Sequence, residues 1–174
     1  MPELLSGQTL GRAAEAVGLL KDAAQTVATA ESLTAGLCCA ALTTIAGSSA
    51  VVRGGLIVYA TDLKGSLAGV PQDVLERCGP VSEPTARHLA RGASDRTNSD
   101  WGVALTGVAG PDWQDGHPPG TVWVAVHGRL GSGGTTTELI GCAGERGQIR
   151  DEAVDAALRM LIDRLREHSP REGR

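Results

Sequence analysis

Three polar side chains, Ser32, Tyr59 and Lys64, each fall where a strand-like run gives way to helix-forming sequence. A hydroxyl between a strand end and a helix N-terminus faces backbone N–H groups without intrahelical partners, and such groups stabilise negative charge developing on a substrate oxygen. Ser32 is therefore a candidate nucleophile for acyl transfer. Its other reading, shared with Thr34, is that of an ordinary helix cap. A nucleophilic serine needs a base, and His88, His117, His127 and His168 are scattered, without the spacing of metal ligands or of a Ser-His-Asp arrangement. That leaves a carboxylate or a lysine. Lys64 can act so only if burial or neighbouring positive charge lowers its pKa, and Tyr59, five residues earlier, could share the proton. Read singly, Lys64 is a solvated helix residue and Tyr59 a strand-end aromatic.

Two further groups belong with these. Thr106-Gly107-Val108-Ala109-Gly110-Pro111 reads as a strand-end turn whose glycines let a ligand approach the backbone, with Thr106 able to donate a hydrogen bond; a plain Gly-Pro turn explains it equally well. Arg146 and Arg150, four apart on a helix, share a face that could meet a phosphate or carboxylate, or simply pair with Glu145 or Asp151. The chain has no Walker phosphate loop, no Gly-x-Gly-x-x-Gly turn, no His-Glu-x-x-His zinc helix and no Gly-x-Ser-x-Gly elbow. No metal or cofactor is expected.

The elements that must position these residues follow from apolar spacing. Leu10, Ala13, Ala14, Val17 and Leu20 lay one stripe along a first helix over residues 9–24. Residues 26–30 alternate small apolar and polar side chains, as in a strand covered on both faces. The turn from Glu31 to Gly36 then leads into a buried helix over 37–42, and the helical region ends at Gly47. A second strand is predicted over 51–60, where Gly54-Gly55 marks a bulge or a close backbone approach, with Tyr59 at its end. Short helices over 61–68 and 71–78 follow, the second with Pro71 at its first position. A helix capped by Ser82 should bury Ala86, Leu89, Ala90 and Ala93 and end near Asn98. A strand over 101–105 and a loop reaching Gly120 precede two paired strands, 121–127 and 135–141, around the turn at 128–134. The last helix starts near Arg146, points Ile149, Ala153, Ala156, Met160, Leu161 and Leu165 inward, and gives way to a frayed polar tail over 169–174. This order predicts one α/β domain over 1–168, a three-layer α/β/α sandwich with a mixed sheet, and ligands gather at strand ends in such folds.

Composition agrees with that class. The 174 residues are 41% hydrophobic and 21% charged, with Lys plus Arg at 16 against 20 Asp plus Glu, a range typical of globular domains. The slight acidity removes the composition-level case for a nucleic-acid or polybasic membrane binder, and a small molecule is the expected partner. Phe is absent and Tyr59 is the only phenol, so Ala, Val, Leu and Ile must build the core. Cys38, Cys39, Cys78 and Cys142 contain no CxxC pair and read as reduced, buried thiols of a cytoplasmic protein. The N-terminus lacks the pattern of a signal peptide, and no run approaches ~18 uninterrupted apolar residues.

Taken in order, Thr29-Ala30-Glu31-Ser32-Leu33-Thr34-Ala35-Gly36, Gly47-Ser48-Ser49 with Arg53-Gly54-Gly55, Tyr59 then Lys64 and Leu67-Ala68-Gly69-Val70-Pro71, Gly79-Pro80-Val81-Ser82-Glu83, and Thr106 to Pro111 leading to Pro119-Gly120-Thr121-Val122-Trp123 resemble the CinA C-terminal domain family. That family includes stand-alone nicotinamide-nucleotide amidases of the PncC type. The resemblance covers most of the chain. It implies metal-free hydrolysis of the carboxamide of nicotinamide mononucleotide to nicotinate mononucleotide and ammonia, in pyridine nucleotide salvage. By residue, it implies Ser32 as nucleophile, Lys64 as base and Tyr59 as third catalytic group, with Glu31, Thr34, Ser48, Thr106, Gly107 and Arg146 around the substrate. A homo-oligomer is also implied. The helix start after Ser32 would supply the oxyanion N–H groups.

Two departures from the family pattern have consequences. Relatives often carry Cys-Thr-Gly-Gly after the serine, where this chain has Leu33-Thr34-Ala35-Gly36, and a helical backbone there would tolerate Ala35. Larger CinA proteins add an N-terminal domain linked to pyrophosphatase activity, for which 174 residues leave no room, so that activity is not expected. The rival expectation, from another class, is a catalytically silent nucleotide-binding or interaction module tied to competence or DNA-damage responses.

Overall fold

Small alternating side chains place one strand at the heart of the sheet. In the computed structural model, which describes residues 4–129 and 133–168, β1 (Val27–Glu31) is buried along its whole length. It lies between β2 (Val52–Ile57) and β3 (Trp101–Gly107), parallel to both. β4 (Thr121–Gly128) and β5 (Gly134–Gly141) extend the sheet antiparallel, in the order β2-β1-β3-β4-β5. The sheet is mixed, as expected. The expected turn residues 130–132 and the expected frayed tail at 169–174 lie outside the described residues.

Parallel neighbours cannot be joined by a tight turn, so each pair needs a crossover. α2 (Leu37–Thr43) and a short 3-10 helix (Ser48–Ala50) connect β1 to β2 across one face. α3 (Thr61–Ser66), α4 (Gln72–Cys78) and α5 (Glu83–Thr97) connect β2 to β3 across the other. α1 (Gly7–Asp22) and α6 (Arg146–His168) join α2. Strand alternation divides the core accordingly: Val27, Val103 and Val124 face Val17, Leu42 and Leu158, while Ala28, Ala30, Ala104 and Ala125 face Val74, Leu89 and Ala90. The second interface is built for close approach. A Cβ on Gly102 would stand 1.9 Å from the Ala90 carbonyl oxygen, so α5 rests on the backbone of β3.

Several boundaries differ from expectation for local reasons. Thr9 and Ala16 are buried in α1 and Ala14 is exposed, because the helix presents its Thr9-Ala13-Ala16-Leu20 face inward. β3 runs through Thr106 and Gly107, both paired with β4, rather than ending at Leu105. Pro71 is the cap of α4, not its first helical residue. Cys78 is exposed and Cys39 half-buried, so only Cys38 and Cys142 are buried thiols. Gly54 and Gly55 realise both sequence readings: the register with β1 skips Arg53, and a Cβ on Gly55 would meet Thr29 Oγ1 at 2.6 Å. Ser82 caps α5 by accepting from the Thr85 N–H, and Asn98 closes it in the left-handed region.

β1 lies at the switch point of the sheet, since the crossovers leaving β1 and β2 cover opposite faces. The crevice beyond the carboxyl ends of β1 and β3 is where such folds bind ligands. Ser32 and Thr106 stand at its two sides.

Candidate active site

Ser32 is the first residue beyond β1, held in line by its N–H, which donates to the Leu105 carbonyl at 2.9 Å. On the other side of β1 the chain past β2 stays attached, because the Val58 N–H donates to the Glu31 carbonyl at 2.8 Å. α3 then turns Lys64 inward, leaving it 2% exposed. The Lys64 ammonium nitrogen lies 3.0 Å from Ser32 Oγ and donates to the Val58 carbonyl at 2.9 Å. Burial lowers its pKa from 10.5 to about 8, partly opposed by the Asp115 carboxylate. A lysine with that pKa is neutral in about one molecule in ten at pH 7, and the lone pair of that fraction can take the hydroxyl proton.

The pair opens into a cavity of about 280 Å³, close to the lower end of the range for small-molecule sites. Tyr59, Thr106, Gly107 and Arg146 line it with Ser32 and Lys64. Arg146 donates to the Gly110 carbonyl at 2.7 Å and to Tyr59 Oη at 3.0 Å, which fixes a cation at the rim. Tyr59 is 57% exposed and is bonded to Arg146, not to the Ser32–Lys64 pair. Thr106 is fully buried, and its hydroxyl donates to the Pro80 carbonyl at 2.7 Å. Gly107 is needed by the sheet itself: a Cβ there would stand 2.5 Å from the Thr121 carbonyl oxygen.

A model of the CinA C-terminal domain matches residues 11–165 of this chain. The chain belongs to that family. It is 41% identical over 148 residues to a "Putative competence-damage inducible protein" of Geobacillus kaustophilus, covering 84% of this chain and 35% of that one. A "CinA-like protein" of Frankia casuarinae is 41% identical over 145 residues, covering 83% of this chain and 33% of its own length. This chain thus spans about a third of the curated relatives it matches. Among solved structures, the competence/damage inducible protein CihA of Agrobacterium tumefaciens superposes with a TM-score of 0.87 at 37% identity, covering 93% of this chain and 98% of that one. A CinA superfamily protein of Klebsiella pneumoniae also reaches 0.87, at 28% identity and 91% and 98% coverage.

Within this CinA domain the turn after Ser32 differs from the sequence-based expectation. Ala35 has φ 49 and Gly36 φ 98, so Ala35 occupies a left-handed turn and not a helical backbone. Its methyl costs about 1 kcal/mol there relative to an unstrained position. The N-terminus of α2 is also not open to substrate. Glu31, 1% exposed, accepts from the N–H groups of Gly36, Cys38 and Cys39 and from the Thr29 hydroxyl. Those donors are therefore saturated. Among the described residues, the cavity-lining N–H groups that carry no hydrogen bond include those of Leu33, Ala109 and Gly110, which are candidate oxyanion donors.

Three of the anticipated substrate contacts lie elsewhere. Glu31 caps α2; Thr34 is fully buried with an unpaired hydroxyl; and Ser48 sits in the 3-10 helix, its hydroxyl 3.4 Å from the Thr43 carbonyl. Arg150 braces the turn by donating to the Thr34 carbonyl at 2.9 Å, whereas its helical neighbour Arg146 reaches the cavity. Asp112, Trp113 and Gln114 also line the cavity and were not singled out from sequence. The signal was present in the unusual loop length, but no motif marks these residues individually. Among the described residues no three His, Cys, Asp or Glu side chains gather as a metal would require, and no helix is long and apolar enough to cross a membrane.

Proposed function

We propose that this CinA domain hydrolyses the carboxamide of nicotinamide mononucleotide, releasing ammonia and nicotinate mononucleotide, with Ser32 as nucleophile and Lys64 as base. The observation carrying this reading is the 3.0 Å contact between the Ser32 hydroxyl and a buried lysine whose pKa is about 8. Neutral Lys64 takes the hydroxyl proton as Oγ bonds to the amide carbon. The oxyanion is met by backbone N–H groups at the cavity wall, and the same proton passes from Lys64 to the departing nitrogen, which leaves as ammonia. Water, activated by the again neutral lysine, cleaves the acyl ester and restores Ser32. The Val58 carbonyl keeps Lys64 Nζ aimed at the serine throughout. Arg146, fixed by Gly110 and Tyr59, offers a cation for the substrate phosphate.

Ammonia release from nicotinamide mononucleotide by the purified protein tests the proposal, with Ser32→Ala as control. Turnover that falls by about three orders of magnitude in the variant supports it. A wild-type protein that binds the nucleotide tightly without hydrolysing it would instead make the domain a binding module.

A further inference from the structure

This chain has no Phe, one Tyr and three Trp, and its tryptophans have different surroundings. Trp101 is 1% exposed, with its indole N–H on Gln25 and its ring edge-on to His168. Trp123 is partly buried against the α5 side of the core. Trp113 is 69% exposed and lines the Ser32–Lys64 cavity. An indole left in water forgoes the burial that makes aromatic residues stabilising, and no core packing accounts for this one.

Its place is nonetheless held. Gln114 and His117 exchange backbone hydrogen bonds of 3.1 and 2.9 Å around Asp115-Gly116, whose φ values of 51 and 79 are those of a tight two-residue hairpin turn. On the other side, the Gly110 carbonyl is tied to Arg146. Trp113 therefore sits between two anchored points at the mouth of the cavity. Asp112 lines the same cavity, and the Asp115 carboxylate is near enough to influence Lys64.

We propose that Trp113 determines specificity in this site by receiving the substrate's pyridinium ring on its indole face, so favouring the cationic, N-ribosylated ring over a neutral one. This rests on the amidase reading above. If the carboxamide carbon is to reach Ser32, the ring bearing it must occupy the cavity that Trp113 lines. The ring nitrogen of the nucleotide carries a fixed positive charge, and Trp is the strongest aromatic partner for a cation. A neutral ring of the same shape keeps the stacking and loses the charge attraction.

Reduced nicotinamide mononucleotide, with an uncharged dihydropyridine ring and the same carboxamide, ribose and phosphate, isolates that charge. Both forms would be titrated calorimetrically into Ser32→Ala and into Ser32→Ala with Trp113→Leu or Trp113→Phe. Leu is expected to weaken the oxidised form about tenfold and the reduced form about twofold or less, with Phe intermediate. Equal weakening of both forms, or of neither, overturns the assignment. Wild-type protein that releases no ammonia from the oxidised nucleotide removes the amidase reading and this inference with it. Turnover by wild type combined with equal weakening removes the role of Trp113 alone.

Discussion

Glu31 and Lys64 sit on opposite sides of the same strand end, 1% and 2% exposed, and they meet different partners there. Glu31 reaches toward α2, where three backbone N–H groups and the Thr29 hydroxyl surround its carboxylate. Lys64 reaches from α3 to one hydroxyl and one carbonyl, neither of them charged. A buried charge is stable when its partners replace the lost water. Glu31 has such partners and joins β1 to α2. Lys64 meets only the Ser32 hydroxyl and the Val58 carbonyl, and burial lowers its pKa to about 8. Burial without an opposite charge in direct contact makes Lys64 the reactive group, whereas the carboxylate of Glu31 is engaged by four donors.

The sharpest way to break that contrast is to remove the lysine. Lys64→Met should lower ammonia release by roughly 10³-fold, within the span of general-base contributions, while leaving the fold intact by circular dichroism. Lys64→Arg should lose nearly all turnover as well, since a guanidinium keeps its proton. Activity within tenfold of wild type in either variant would exclude Lys64 as the base.

The proton itself offers the next test. With a pKa of about 8, kcat/KM should rise about tenfold per pH unit below that value and level off above it. Stability should move in the same direction over a different window. Between about 8 and 10.5 the unfolded chain holds a proton on this lysine that the native chain has released, so unfolding becomes harder as pH rises through that interval. Below pH 8 both states are protonated, and the native state carries the full cost of burying the ammonium. Denaturant titrations across pH 7–10 should show wild type gaining stability relative to Lys64→Met as pH rises, because the raised pKa values of the Cys38 and Cys142 thiols act equally on both proteins.

On the other side of the strand, Glu31→Gln should lower stability by roughly 2–3 kcal/mol, because a carboxamide turns N–H donors toward the N–H groups of α2. The pH midpoint of the remaining activity should stay near 8. A large rise in KM without lost stability would return Glu31 to the substrate and undo the comparison. The smallest effect is expected at Ala35. Replacing it by Gly relieves the left-handed strain at φ 49 but adds unfolded-state freedom, for a net gain of about 0.5 kcal/mol in thermal melts.

Much of the fold could be read from short-range patterns. Ser82 and Asn98 bound α5 because a hydroxyl cap and a left-handed asparagine act within a single turn. The alternation along β4 and the spacing along α6 likewise depend only on near neighbours. The site was less accessible. Ser32, Tyr59, Lys64, Thr106, Gly107 and Arg146 could be picked out because they fall at element ends, and the cavity collects them. Glu31 and Ser32 are adjacent, however, and strand alternation directs them to different neighbours. Their separate surroundings depend on which helix covers each face of β1. Trp113 was missed for a related reason, since an indole in a loop has no periodic pattern to reveal what it lines.

The order of elements, the bounds of α5 at Ser82 and Asn98 and the mixed α/β class were determined by the sequence alone, because periodicity and turn chemistry act over a few residues. The tertiary structure decided which polar groups meet. Lys64 lies 32 positions from Ser32 in the chain, and their contact depends on the register of β1 with β2 and on the crossover that returns α3 to the strand end. The same packing supplies Glu31 with four donors and leaves Lys64 without a counter-charge in direct contact, and a sequence pattern does not encode such solvation.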